Sequence, residues 1–250
     1  MPSVTTLSRG QEFAVNSSFQ AKRDMNASIS RLATGIRTQG GKDPVGAAIA
    51  SSITSQSRSA FVAARNANDG ISFLQAAESV LFEIANINLR LRELAVQKTS
   101  GLLQTAEINA ISAEENALIE AADGIADSKL NDQDLLSEVS IAINVQGSLA
   151  TVGAANKPQL ASGVTNVDTQ MAAIMTALGQ VAAGMNALKG FQSNMNSLST
   201  NAAAAASRIQ DTDFARESAI LAQSSIMNQS ALAMLAQANR AQANFLTILE

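Results

Sequence analysis

Cysteine, histidine, tryptophan and tyrosine are all missing from this chain of 250 residues. Without cysteine there is no disulfide, thiolate metal site or thiol nucleophile; without histidine there is no imidazole base or ligand. Proline occurs three times, at Pro2, Pro44 and Pro158, so helices can run unbroken through most of the sequence. Aromatic residues make up only 3%, and the formal charge is −4 with no Lys/Arg cluster, which argues against a nucleic-acid partner. No HExxH, GxSxG or glycine-rich phosphate loop accompanies the remaining Asp, Glu, Lys and Ser side chains. The chain therefore reads as a non-enzyme with no cofactor and no metal. Met1–Gly10 lacks the apolar core of a Sec-type signal peptide, so export, if it occurs, is expected by another route.

What is present is aliphatic and small. Apolar residues reach 46%, mostly Ala, Leu and Ile, a composition that favours helices and close helix–helix approach. The C-terminal stretch is the most telling. No charged side chain lies between Glu217 and Arg240. Ile220, Met227, Ala231, Met234, Ala238, Ala241, Phe245 and Ile248 step by fours and threes in heptad fashion, and Leu221, Leu232, Leu235, Leu246 and Leu249 widen the apolar face. A terminal helix with so little charge expects neighbours on most sides, which points to assembly. At the other end Leu7–Ile36 is amphipathic, with Met25, Ile29, Leu32 and Ile36 in step. These stripes are the expected assembly seams.

Between the ends the pattern is mainly α. Gly35, Gly40 and Gly41 close the first helix; Asp43 is the expected N-cap and Pro44 the first residue of the next. Asn66–Gly70 is poor helix sequence, with Gly70 costing about 1 kcal/mol, yet the apolar phase continues through it. One helix from Pro44 to Lys98 is therefore expected, carrying the seam Leu74, Ala77, Leu81, Ile84, Leu91 and Leu94; at about 1.5 Å per residue it would be rod-like. A further helix is expected over about Gln104–Ser128, with Ile108, Ile111, Leu118, Ile119 and Ile125 inward, then a small β region over about 130–165 in which Ser140–Val145 alternates. Val167–Ser207 returns to helix. Its charge-free part, Met171–Leu188, is broken by Thr176, Gly179, Gln180, Gly184 and Asn186, and reads as a bundle helix, not a membrane span. Asp211 and Asp213 read as a helix joint with capping duty rather than a carboxylate pair for catalysis. Asn16-Ser17-Ser18, Asn26-Ala27-Ser28 and Asn228-Gln229-Ser230 fit the N-glycosylation pattern but fall on expected core helices.

Several blocks resemble bacterial flagellin. Arg31–Arg37, Lys42–Ala50, Arg90–Gln97, Leu130–Leu136, Ser207–Ala215 and Leu235–Asn239 are similar to family blocks, in order, and Ala64–Ser72 reads ARNANDGIS as the family does. Lys157-Pro158, the Ala202–Ala206 run and the final Glu250 depart from it. The resemblance implies N- and C-terminal helices (1–43 and 206–250) pairing as a coiled coil in the filament core. It also implies a rod domain (44–205) of long helices with a small β-hairpin region, without the large outer domains of many members. It implies a structural subunit that self-assembles into the flagellar filament for motility, with the hook–filament junction protein of the related family as the alternative. The implied partners are further copies of the chain, the flagellar export apparatus, an export chaperone, and hook-associated junction and cap proteins, with no nucleic acid and no membrane span. The implied location is extracellular, in the filament. The resemblance further implies recognition by a host Toll-like receptor, through the positions matched here by Arg90, Leu94 and Glu114.

Overall fold

The computed structural model describes residues 2–38, 43–154 and 157–249, with side chains from residue 9 to residue 244. The described residues form five helices: α1 Pro2–Thr34, α2 Pro44–Lys98, α3 Thr105–Ala126, α4 Val164–Gln210 and α5 Phe214–Leu249. Between α3 and α4 lie two antiparallel strand pairs, β1 Lys129–Leu130 with β2 Gln133–Asp134, and β3 Val139–Ala142 with β4 Leu149–Val152.

The helix boundaries follow local chemistry. Gly35 ends α1 with φ +70°, its N–H donating to the Arg31 carbonyl at 2.8 Å. Asp43 caps α2: its Oδ1 accepts from the Gly46 N–H at 2.7 Å. The reading through Asn66–Gly70 holds, since α2 is continuous. Gly70 is there for close packing: a Cβ on it would lie 2.2 Å from Ile141 Cδ1 and 2.9 Å from Leu188 Cδ1. At the second joint Asp213 Oδ1 accepts from the N–H groups of Ala215 and Arg216, so Asp213 caps α5. The Asp211 carboxylate accepts from the Ser207 hydroxyl.

Packing divides the chain into two units. Residues up to Ile53 and from Ala204 form one; Thr54–Ala203 form the other. The expected boundary at residue 44 is thus the start of an element, and the packing boundary falls inside α2.

In the Thr54–Ala203 unit, the α2 seam is core as expected: Leu74, Ala77, Leu81, Ile84, Leu91 and Leu94 are all buried. Ile174, Val181 and Leu188 of α4, Ala122 and Ala126 of α3, and Ile141 and Val152 of the hairpin complete the main cluster. Leu198 of α4 is exposed. By length and composition α4 could cross a membrane, but its Val167, Ile174, Val181 and Leu188 face is fully buried in this core. Glu115 of α3 is buried and accepts from Lys98 Nζ at 2.8 Å, tying α3 to the end of α2. The tight β1–β2 turn places Asn131 and Asp132 at φ 57° and 62°, as a two-residue hairpin with right-handed twist requires.

Candidate assembly interface

The first unit is built on α1 and α5, which pack along each other in antiparallel fashion. The buried residues of α1 are Ala14, Ser18, Ala21 and Ser28, with Met25 and Leu32 half-buried in the same four–three rhythm. Those of α5 are Glu217, Ser224 and Ala231, with Leu221, Asn228, Leu235, Ala238 and Gln242 half-buried between and beyond them. Both sets are heptad seams, but their buried members are small or polar. Small residues let two helices approach closely, and polar contacts fix the register. Arg31 Nη2 lies 2.5 Å from Glu217 Oε1. Ser18 Oγ donates to Asn228 Oδ1 at 2.8 Å. Gln11 Nε2 donates to Asn239 Oδ1 at 2.9 Å, and Gln242 Nε2 to Gln11 Oε1 at 2.8 Å.

The intrachain pair uses only part of the expected seams. Ile29, Met227 and Met234 are 48%, 47% and 50% exposed. They lie one step to the side of the seam, because their bulk would hold the helices apart. Met25, Leu32, Ile36, Ile220 and Leu235 are half-buried. The side chains of Phe245 and Ile248 lie outside the described residues. Phe13, Phe19, Ile226 and Leu232 are also exposed, so each helix presents large apolar side chains outward. Sequence reasoning missed Arg31, Glu217, Ser18 and Asn228 as seam members. The signal was there: small and polar residues at 14, 18, 21 and 28, and at 217, 224, 228 and 231, keep the same heptad step. The three N-glycosylation patterns fall in this pair, where Ser18 and Ser28 are buried and Asn228 accepts from Ser18.

A short two-stranded bridge closes the joint end of the unit. Ile36 pairs with Asp211, Arg37 N–H donates to the Gln210 carbonyl, and Thr212 N–H to that of Gly35. The adjoining cleft is lined by Arg31, Arg37, Arg208 and Arg216 against Asp43, Asp211, Asp213 and Glu217, with no net charge. Among the described residues no group of three acidic side chains is placed to hold a metal ion.

In the other unit, Arg90 and Glu114 are exposed and paired. Arg90 Nε and Nη2 lie 3.1 and 2.8 Å from Glu114 Oε1, and Nη1 lies 2.9 Å from Glu93 Oε2. The hydrogen bond that Arg90 donates to Glu114, then that to Glu93, raises the guanidinium above its ordinary pKa. Leu94, expected beside them, is 1% exposed. It packs inward with the α2 seam, so its side chain offers a partner no direct contact.

Two family models cover most of the chain: the bacterial flagellin N-terminal helical region over residues 11–140, and the C-terminal helical region over 162–249. The chain belongs to the bacterial flagellin family. The flagellin of Halalkalibacterium halodurans is 30% identical over 85% of this chain and 87% of its own length. That of Bacillus subtilis is 27% identical over 88% and 91%. Flagellin FlaB1 of Treponema pallidum is 30% identical over 88% and 91%. A crystal structure of Bacillus cereus flagellin aligns with 55% of this chain and 88% of its own, at TM-score 0.40 and 21% identity. Flagellins are structural proteins, and these relatives carry flagellin names, not the name of a hook–filament junction protein.

Proposed function

We propose that the chain is the repeating structural subunit of a bacterial flagellar filament, outside the cell, and that the outward faces of α1 and α5 are where neighbouring subunits pack. One observation carries the second half of this reading. The intrachain seam consumes the small and polar residues and leaves Phe13, Phe19, Ile29, Ile226, Met227, Leu232 and Met234 uncovered. Burying one such side chain is worth about 1.5–3 kcal/mol, and the charge-free length of α5 has no ionised group to desolvate. Contacts between different faces of successive copies, where the rotation does not close a ring, propagate as a helix.

Electron microscopy of the concentrated protein tests the reading: filaments are expected. Deleting residues 221–250 should leave soluble monomer. Leu232→Asp, on the outer face of α5, should keep the helix content of the wild type and abolish filaments. Normal filaments from either variant would remove α5 from the interface.

The finer partners rest on family membership. The export apparatus and its chaperone would handle the ends before assembly, and junction and cap proteins would meet the same outward faces at the filament termini. For a host Toll-like receptor, the exposed Arg90–Glu114 pair is the contact, and Leu94 supports it from beneath. In a receptor-reporter assay with monomer, Arg90→Ala should lower the signal with an unchanged melting curve. Leu94→Ala should lower both signal and melting temperature. A full signal from Arg90→Ala would remove this contact.

A further inference from the structure

The chain has few side chains that a mild two-electron oxidant can attack. Cysteine, histidine, tryptophan and tyrosine are absent, which leaves the thioethers of eight methionines. Their surroundings differ. Met195 is 7% exposed, and Met25, Met171 and Met185 are half-buried. Met175 on α4 is exposed, as are Met227 and Met234 on α5.

The α5 pair differs from Met175 in its setting. Met227 and Met234 are seven residues apart, so they stand on one face two turns from each other. Ile220, half-buried, continues the same row, and exposed Ile226 adjoins it. No charged residue lies between Glu217 and Arg240. The attraction of this stripe for a partner therefore rests on apolar area alone. Turning a thioether into a sulfoxide replaces a soft apolar group by a polar, hydrogen-bond-accepting one.

We propose that Met227 and Met234 form an oxidant-responsive modification site that switches off assembly; this rests on the filament reading above. The reactant is a peroxide. A sulfur lone pair attacks one peroxide oxygen, the S–O bond forms as the O–O bond breaks, and the departing hydroxide takes a proton and leaves as water. Each sulfur is oxidised by two electrons and each hydrogen peroxide is reduced by two. The sulfoxides must then give up water to be buried against a neighbouring subunit, which opposes packing. A subunit already in a filament has this face covered, so the site responds before assembly rather than after it.

The test uses the full-length chain as monomer. It is treated with dilute hydrogen peroxide, sampled by peptide mass spectrometry, and then placed under polymerising conditions. Met227 and Met234 should oxidise roughly tenfold faster than buried Met195. The treated chain should give no filaments, and methionine sulfoxide reductases of both epimer specificities should restore them. The double variant Met227→Leu, Met234→Leu should lose nothing further on treatment relative to its own untreated filaments, whereas Met175→Leu should remain as sensitive as the wild type. Should the double variant fail to assemble untreated, the reductase arm on the wild type decides. Filaments from wild type carrying both sulfoxides would overturn the proposal, as would thioethers restored without filaments, or equal oxidation rates at Met195 and Met227. Untreated wild type that never polymerises would instead sink the filament reading.

Discussion

Single residues hold this protein at three kinds of position. The first is the Arg31–Glu217 pair, whose carboxylate side chain is only 9% exposed. Glu217→Ala strands a partly buried guanidinium in the small-residue seam. The expected cost is about 2–3 kcal/mol, less than a fully buried pair loses, because Arg31 keeps some water contact. Limited proteolysis should show α1 and α5 cut sooner while the Thr54–Ala203 unit resists as before. The second is a surface carboxylate. The Lys157 ammonium donates to Asp127, and this bond, then the charge behind it, holds the Asp127 carboxyl below its ordinary pKa. A depressed carboxyl contributes stability above its unfolded pKa and loses that contribution as pH falls through the folded value. Lys157→Met should move Asp127 back upward in a carboxyl NMR titration, and the melting difference from wild type should vanish at acid pH. The third is Gly153, with φ +127° and Ser137 O only 2.4 Å from where a Cβ would stand. That backbone oxygen cannot move aside as a side-chain tip can. Gly153→Ala should therefore destabilise the hairpin-bearing unit by about 2 kcal/mol or more, read as a lower thermal midpoint.

At the scale of elements, α1 and α5 are stable as helices because they pair. An isolated amphipathic helix is marginal in water, and most helical stability comes from packing. Their closeness depends on Ala14, Ser18, Ala21 and Ser28 facing Ser224 and Ala231. Ala21→Leu should force the pair apart at a cost of about 1–3 kcal/mol, lowering helix content at the chain ends in circular dichroism. Phe13→Leu, on the outer face, should leave that signal unchanged. A wild-type spectrum from Ala21→Leu would mean that the seam is looser than the buried alanines indicate. The hairpin β3–β4 is held by Asn144, whose side-chain oxygen accepts from the N–H groups of Gln146 and Ser148, and by Ile141, which fills the notch left by Gly70.

The whole molecule consists of two packing units with unlike interiors. The Thr54–Ala203 unit buries a broad cluster of Leu, Ile and Val. The unit of the chain ends buries mostly alanine and serine, and so gains far less from the hydrophobic effect. Calorimetry on dilute monomer should show two transitions, the ends melting first. A fragment of residues 54–203 should retain the second transition, as a cooperative melt. A non-cooperative melt of that fragment would contradict the division.

The sequence by itself determined the order of the helices, the continuity of α2, the core seam Leu74–Leu94, the capping of α2 and α5, and the family. The family is carried by the matching sequence blocks; the others are settled by local chemistry and by side-chain periods that any single helix displays. It also marked Met227 and Met234 as an apolar stripe wanting cover. Which stripe of α5 faces α1 was decided only in three dimensions. Two heptad rows run side by side on that helix, one of large residues and one of small and polar ones, and periodicity fits both. The choice follows from the partner: Ala14, Ser18 and Ala21 admit a close neighbour, and Arg31 is placed to reach Glu217. Leu94 shows the same limit from the other side, since one helical turn relates it to Arg90 but the packing of α2 turns Leu94 inward and leaves Arg90 outside.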